Sequence, residues 1–332
     1  MGADAWKQVA HEGMSPRGAS TGGVNRLLVH SVSDDVGRGP YIVGASRLLA
    51  FVKEFALPFT SFEDRDAALA DCLAWYCYQK DADLQVGKNI FRGSLYVMPD
   101  LVHRVPLAHR ALKGWERFAI TNERAAVPWP AVFAIAQRMK DQGHPESADI
   151  AELCADAYLR EGDWKRLRPC DVVSSGVHGV ALILGRGGRG ESAKSGTNQS
   201  VRIDREGIAT KVLMYRDRAR RAGQKFLFSQ SVQTFYNHWN QACKSLKLNF
   251  GPPHCLRHTG PSFDLLQGPD NRPYRSLKEV KTRGRWSLDK SVIRYAKSGF
   301  YLHGLELISD SVVLYGKRRE KDVGPRPAVA LN

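Results

Sequence analysis

One short segment brings together two side chains that could bind one ligand. Residues His254–Thr259 read HCLRHT. In a helix, residues three positions apart share a face, so the imidazole of His254 and the guanidinium of Arg257 can point at one ligand. Because HxxR also arises by chance in a basic chain, a capping histidine beside a solvated arginine remains the alternative.

Trp286 and Tyr295 form a second candidate pair, and nine positions separate them. On one unbroken helix, nine residues turn through about 900°, which places the two side chains on opposite faces. A shared site therefore needs a turn between them, and Arg283–Ser287 (RGRWS) supplies one. Ser287 is suited to cap the helix that carries Tyr295. The alternative is a buried tryptophan and a core-facing tyrosine with no common site.

Arg160 and Lys194 are further candidates, because both lie beside segments that read as strands. Arg160 follows an apolar helical pattern, and a surface arginine paired with a neighbouring carboxylate is the alternative. Gly185–Gly190 (GRGGRG) matches the GxGxxG pattern, but a dinucleotide loop needs a helix directly after the glycines. The run that follows, Glu191–Asn198, is instead rich in turn formers. These features favour a flexible hairpin that presents Lys194.

Motifs for other chemistries are missing from the sequence. There is no HExxH, no GxxxxGK[ST] and no cluster of Cys and His with metal-ligand spacing. We therefore expect neither a metal ion nor a cofactor.

The composition indicates a protein that binds a polyanion. The 332 residues include 49 Lys and Arg against 34 Asp and Glu, a formal net charge of +15. Such an excess favours nucleic acid first and an acidic membrane second. The longest apolar runs, such as Val180–Leu184, are far shorter than the roughly 20 residues of a membrane-spanning helix. No secretory signal is expected, and six cysteines without paired spacing favour reduced thiols in an intracellular protein.

Changes in patterning predict two domains. Residues 1–44 read as a poorly ordered leader, 45–125 as a helical domain, 126–320 as a mainly helical domain with one small sheet, and 321–332 as a flexible tail. Thr121–Pro130 (TNERAAVPWP) fits an extended linker because it is polar and carries two prolines. Val172–Leu184 and Ser200–Ile203 predict the small sheet. The predicted helices of the first half and of the segment before the sheet are Asp66–Asp81, Leu84–Met98, Leu107–Phe118, Trp129–Met139 and Ala148–Leu159.

Taken in chain order, these elements resemble the catalytic domain of the tyrosine recombinase (phage integrase) family over about residues 130–320. The segments that carry the resemblance are Leu159–Val172, Lys194–Ile203, His254–Thr259 and Gly284–Lys297 (GRWSLDKSVIRYAK). The resemblance implies a mainly α fold with a small antiparallel sheet, in which a helical core-binding domain precedes an integrase-type α+β catalytic domain. Residues 45–125 match the core-binding domain in position and character, without a specific motif.

The resemblance also implies a role for each candidate residue. Arg160 and Arg257 would hold the non-bridging oxygens of the scissile phosphate, and Tyr295 would be the nucleophile. A tyrosine hydroxyl ordinarily has a pKa near about 10, so it needs a base or a strongly cationic pocket. His254 would take or share its proton, and Lys194 would protonate the leaving 5′-oxygen.

Trp286 takes the place usually held by His or Trp, and its indole N–H can donate to the phosphate. Three features depart from the family pattern. Asp163 stands where Glu is usual. Gly260-Pro261 follows HCLRHT, and a proline there should kink the helix. The polar segment Gln267–Ser276 reads as an insertion that could distort the site.

The implied reaction is site-specific recombination through a 3′-phosphotyrosyl intermediate, with neither ATP nor Mg²⁺. The implied partner is double-stranded DNA, bound by four protomers on two sites, with an intracellular, DNA-associated location and no membrane. Lys211–Lys225 suits a phosphate backbone, and the amphipathic segment Leu302–Leu314 could dock on a neighbouring subunit. A type IB topoisomerase and a domesticated DNA-binding protein without strand transfer remain open alternatives.

Overall fold

The computed structural model describes residues 39–119, 126–176, 178–191, 196–266, 268 and 272–325. Lys194, most of the expected leader and the end of the expected tail therefore lie outside the described residues. The chain divides into two compact units, Met1–Asn122 and Glu123–Asn332.

The first unit consists of four α-helices in its described part. They are α1 (Gly39–Glu54), α2 (Phe62–Tyr78), α3 (Leu84–Val97) and α4 (Pro106–Phe118). Ser61 begins α2 with a capping box, in which its hydroxyl accepts from the Asp64 amide at 3.0 Å. The helix α1 includes Gly44, which packs directly on the backbone of α3 at Asn89. Because the contact is made through a glycine, no apolar side chain marks it in the sequence.

The second unit contains one small sheet among helices. Its strands are β1 (Val172–Ser175), β2 (Gly179–Leu184) and β3 (Gln199–Arg202). Its helices are α5 (Trp129–Asp141), α6 (Pro145–Asp156), α7 (Glu161–Arg166), α8 (Glu206–Arg221), α9 (Val232–Ser245), α10 (Leu256–Asp264), α11 (Leu277–Gly284), α12 (Asp289–Tyr295), α13 (Ser298–Glu306) and α14 (Asp310–Val323).

The sheet is antiparallel in the order β1-β2-β3. Leu182 at its centre pairs with Val172 on one side and with Val201 on the other. Val180, Leu182 and Leu184 alternate toward the core, as expected for a strand with one buried face. The expectation of a mainly α fold with a small antiparallel sheet is confirmed.

Several boundaries differ from the sequence expectations. Within the expected linker, Val127 is fully buried and Trp129 already begins α5. The helix expected to reach Leu159 ends at Asp156. Ser287 does not cap α12, since that helix begins two residues later and has Leu288 at its cap position.

The last helix, α14, packs within its own unit. Arg319 donates to the fully buried Glu152 of α6 from Nε at 2.6 Å and from Nη2 at 3.0 Å. Gly316 lies against the backbone of α5 at Ala134, and Val323 is fully buried. The helix therefore continues past residue 320, where the sequence suggests the start of a flexible tail.

No helix of the described residues is long and apolar enough to cross a membrane. Within the same part of the chain, no three His, Cys, Asp or Glu side chains are grouped closely enough to hold a metal ion.

Candidate active site

Arg160 lies at the cap position of α7, four residues after the end of α6. Its backbone N–H donates to the carboxylate of Asp163 at 3.0 Å, which fixes the chain where it enters the short helix. Both residues line a cavity of about 190 Å³ that the end of β2 borders at Leu184 and Gly185. Arg160 is half-buried there.

The HCLRHT segment forms a 3₁₀ turn, Pro253–Cys255, that runs directly into α10. Arg257 lies in the first turn of α10 and is 0% exposed. Its guanidinium donates from Nη1 to the carbonyl oxygen of Tyr158 and from Nη2 to the carbonyl oxygen of Gly284 at 2.9 Å. Arg257 therefore ties α10 to the segments that carry Arg160 and Trp286.

Trp286 and Tyr295 meet as the turn between them predicts. Their ring centroids lie 5.0 Å apart in a stacked arrangement. The Cζ atom of Arg257 lies 5.0 Å from the centroid of Trp286 and 5.2 Å from that of Tyr295. The guanidinium, indole and phenol thus form one cluster, and the role of this cluster in catalysis stays a prediction.

Two imidazoles flank the phenol. The ring of His258 stacks on Tyr295 at 4.7 Å between centroids, whereas His254 lies at 6.3 Å and is tilted by 56°. The two histidine rings are 6.0 Å apart. The described part of the site thus holds two groups that can accept a proton beside the candidate nucleophile.

The site is strongly cationic. The pKa of Arg257 is lowered to about 9, mainly by burial and also by the nearby charges of Arg160 and Arg285. Burial likewise lowers the pKa of Arg285 to about 10, which the carboxylate of Asp163 opposes. An arginine stays protonated at neutral pH under these conditions. The mutual repulsion of three guanidiniums around one carboxylate favours the binding of an anion.

Buried donors in this cluster lack an acceptor among the described residues. They are Nε of Arg257, Nε1 of Trp286, and Nε and Nη1 of Arg285. A buried N–H without an acceptor costs about 1–3 kcal/mol. Oxygens of a phosphate could satisfy such donors, so the arrangement suits an anionic ligand.

Sequence reasoning missed three contributors to this site. His258 follows His254 by one helical turn within HCLRHT, and that spacing could have identified it. Arg285 lies directly before Trp286 with φ of +57° and pairs with Asp163 at 2.9 Å. Tyr158 acts through its carbonyl oxygen, which no side-chain pattern reveals.

Buried charged side chains lie next to the cluster of Arg257, Trp286 and Tyr295. The hydroxyl of Tyr158 donates to Asp264, the last residue of α10. Arg275 contacts Asp264 at 2.7 Å and Asp204 at 2.9 Å. Arg275 belongs to the polar segment 267–276. The described part of this segment is therefore held by the two carboxylates beside the site. The expectation that it could distort the site finds no support in these contacts.

Pro261 does not end α10, which continues to Asp264. The Leu265 amide, in the cap position, donates back to the carbonyl oxygen of Pro261 at 3.3 Å. Proline removes only the hydrogen bond to the carbonyl oxygen of Arg257, one turn earlier. His254 lies outside α10, in the 3₁₀ turn that precedes it.

The glycine-rich segment after β2 is held by ion pairs. Asp171 accepts from Arg186 at 2.8 Å and from both terminal nitrogens of Arg189 at 2.9 Å. Glu191 pairs with Arg168 at 2.6 Å. Lys194 lies outside the described residues, and its role stays a prediction.

The basic segment Lys211–Lys225 lies mostly on α8, but not all of it is exposed. Lys211 points to Glu152 at 3.3 Å and to Asp149 at 3.6 Å. That lysine stabilises the core of the unit, because its charge is balanced there. For the remaining cations of the segment, contact with the DNA phosphate backbone stays a prediction.

The fold is similar to those of solved recombinase structures. A lambda integrase dimer bound to a COC′ core site is 13% identical, with a TM-score of 0.56 over 82% of this chain and 74% of that one. The XerH site-specific recombinase bound to difH substrate, in a pre-cleavage complex, is 12% identical, with a TM-score of 0.54 over 77% and 74%. A XerH post-cleavage complex with palindromic difH substrate is 11% identical, with a TM-score of 0.52 over 78% and 75%. No protein-family model and no curated protein matches the chain.

The chain therefore has the tyrosine recombinase (integrase) fold, as the sequence resemblance implies. At 11–13% identity, the likeness establishes the fold alone.

Proposed function

We propose that this protein is a site-specific DNA recombinase that cleaves and rejoins strands through a covalent bond between Tyr295 and a 3′-phosphate. The observation that carries the proposal is the single cluster of Arg257, Trp286 and Tyr295, flanked by His254 and His258, inside this fold. A phenol beside a buried guanidinium and two imidazoles has the parts that phosphoryl transfer without a metal requires.

In the proposed reaction, the Tyr295 oxygen attacks the scissile phosphorus and its proton passes to an imidazole. His254 is the base that the sequence implies, and His258 stacks more closely on the phenol. The bond from phosphorus to the 5′-oxygen breaks, and Lys194 supplies the proton that this oxygen needs. Attack by the 5′-hydroxyl of a partner strand reverses every transfer, so the number of phosphodiester bonds is conserved.

The charges of the site support this chemistry. Arg160, Arg257 and the indole N–H of Trp286 would stabilise the negative charge that develops on the non-bridging oxygens. One such donor, removed from a preorganised site, typically costs about 10²–10³ in rate. These fixed cations would take the place of a metal ion. ATP would not be needed, because the number of phosphodiester bonds is conserved.

The net charge of +15 supports DNA as the partner. The first unit would contact DNA beside the catalytic unit, and a homotetramer would hold two sites. The protein would act inside the cell, associated with DNA. Affinity for any duplex should fall steeply as the salt concentration rises.

Covalent trapping tests the proposal. The intact protein is incubated with a pool of randomised duplexes in EDTA without nucleotide, denatured in SDS, and the DNA linked to protein is sequenced. We expect an adduct with wild type and none with Tyr295→Phe. Tyr274→Phe is the matched control, because it also removes one tyrosine hydroxyl. Tyr274 is an exposed residue whose ring stacks on Phe263, so this variant should still form the adduct.

The alternatives give different results. If wild type binds duplexes but forms no adduct, the proposal is wrong and a binding protein of this fold is supported. Relaxation of supercoiled plasmid without a selected sequence would instead support a topoisomerase. An adduct that persists in Tyr295→Phe would refute the assignment of the nucleophile.

A further inference from the structure

Arg285 is an unusual residue beside the cluster. Its backbone has φ of +57° and ψ of +44°, a left-handed conformation that costs a non-glycine residue about 1–3 kcal/mol and is concentrated at functional sites. Only 8% of the residue is exposed, and its side chain is 3% exposed. A long cation is thus held in a strained and buried position, where glycine would be less costly.

Its known partners use only one of its nitrogens. Nη2 donates to the carbonyl oxygen of Tyr158 at 3.0 Å and to Asp163 at 2.9 Å. Nε and Nη1 are buried and have no acceptor among the described residues. Nε and Nη1 lie on different edges of the guanidinium, because Nε–H shares an edge with Nη2, so either group could donate to an oxygen of a phosphate.

Arg285 is joined directly to the residues proposed to hold the phosphate. Nη2 of Arg285 and Nη1 of Arg257 donate to the same oxygen, the carbonyl of Tyr158. Asp163 accepts from Nη2 of Arg285 and from the backbone N–H of Arg160. Arg285 therefore shares one acceptor with Arg257, and its other acceptor also holds the backbone at Arg160.

We propose that Arg285 is a further phosphate-binding arginine, which donates from Nε or Nη1 to a non-bridging oxygen of the scissile phosphate in the transition state. This inference rests on the proposed function, since it assigns a residue to the same site. A purely structural role, in which Arg285 only fixes Asp163 and Tyr158, accounts for Nη2 but leaves Nε and Nη1 without an acceptor among the described residues.

The test uses duplexes that wild type traps covalently, made with either a normal phosphate or a methylphosphonate at the scissile position. The methyl group removes the negative charge that a phosphate-binding arginine stabilises. Arg285→Gly is the main variant, because glycine adopts φ of +57° without strain and the chain should fold. We expect its rate constant for adduct formation on phosphate to fall by about 10²–10³. On methylphosphonate, the rate constants of wild type and variant should converge.

Arg283→Gln is the matched control. It removes a buried guanidinium two residues earlier, which pairs with Asp204 at 3.0 Å and donates to the carbonyl oxygen of Asp156 at 2.7 Å. Whatever activity this variant loses through the fold should be lost equally on both substrates. Thermal unfolding of all variants confirms that each is folded at the assay temperature.

Each outcome separates the two proposals. If wild type forms no adduct, the proposed function fails and this inference fails with it. If wild type reacts but Arg285→Gly slows both substrates by the same factor, Arg285 has a positioning role only. If Arg285→Gly reacts as fast as wild type on phosphate, the residue does not bind the scissile phosphate.

Discussion

Gly260 offers a direct test of how the fold positions the candidate site. It lies in α10 between Arg257 and Asp264, where that helix crosses the end of α6. A Cβ at this position would lie 2.6 Å from the carbonyl oxygen of Ala155, and closer still to the ring of Tyr158. Ordinary carbon contacts begin at about 3.5 Å, so either neighbour would have to move by about 1 Å.

We expect Gly260→Ala to destabilise the second unit. Alanine in a helix gains about 1 kcal/mol over glycine, while overpacking costs about 1–3 kcal/mol. The upper end applies here because one neighbour is rigid backbone, which leaves a net loss of about 2 kcal/mol. For a unit of this size, each kcal/mol lowers the melting temperature by about 2–4 °C, so we expect a decrease of about 4–8 °C.

The same change should also slow adduct formation. Tyr158 would be displaced, and its carbonyl oxygen is the common acceptor of Arg257 and Arg285. Thermal unfolding measures the stability, and hydrogen exchange of peptides from α6 and α10 locates the loss. Gly299→Ala in α13 is the matched control, since no atom lies within 4 Å of its added methyl group, and it should melt at or above wild type. A Gly260→Ala protein as stable as wild type would refute this account of the crossing.

Two further substitutions probe buried charges. Arg319→Leu should lower the free energy of unfolding in urea by about 3 kcal/mol, the low end for breaking a buried pair, because Lys211 still contacts Glu152. Adding Glu152→Leu should restore most of that loss, and a double variant no more stable than the single one would contradict the reasoning. Burial raises the pKa of Asp156 to about 6. This carboxyl therefore binds its proton more tightly in the folded chain, and its contribution to stability falls as the pH rises from about 4 to about 6. Asp156→Asn should remove that slope from urea denaturation measured across the range, and an unchanged slope would contradict the assignment.

Local spacing predicted the parts of the site that lie close together in the chain. His254 and Arg257 are three residues apart, and Trp286 and Tyr295 are nine apart with a turn between them. Helix geometry predicts that the first pair shares a face, and the turn allows the second pair to meet, so the sequence alone could indicate both pairs. The meeting of the two pairs does not follow from spacing, and only the resemblance to a family implied it.

The residues that the sequence did not reveal act through the backbone or across long separations. The carbonyl oxygen of Tyr158 holds Arg257, 99 positions later, and any residue type carries such an oxygen. Arg285 looks like one more cation in a basic chain until its left-handed backbone places it inward. For the same reason, the sequence predicts that Lys211 contacts DNA, although its charge faces Glu152. A count of charges cannot distinguish a buried cation from one that faces solvent.

The effect of a proline in a helix depends on where the missing hydrogen bond lies. Pro261 comes after His254 and Arg257 in the chain, and α10 continues past it to Asp264. The segment that reads as an insertion contains Arg275, which pairs with two carboxylates of the second unit. Residue type alone therefore does not reveal how such residues fit into the fold.

The position of Tyr295 sets a condition for the proposed reaction. Arg257 is fully buried, with the phenol ring and the indole of Trp286 stacked against its guanidinium. A phosphate can reach Arg257 only after one of these rings moves. Tyr295 ends a helix of seven residues in which only Val292 is buried, while Ile293 is 66% exposed. Displacing α12 breaks few contacts, so the phenol is the ring that moves more easily. In the proposed reaction, binding of DNA would then have to shift the phenol of Tyr295 off the guanidinium before it can attack.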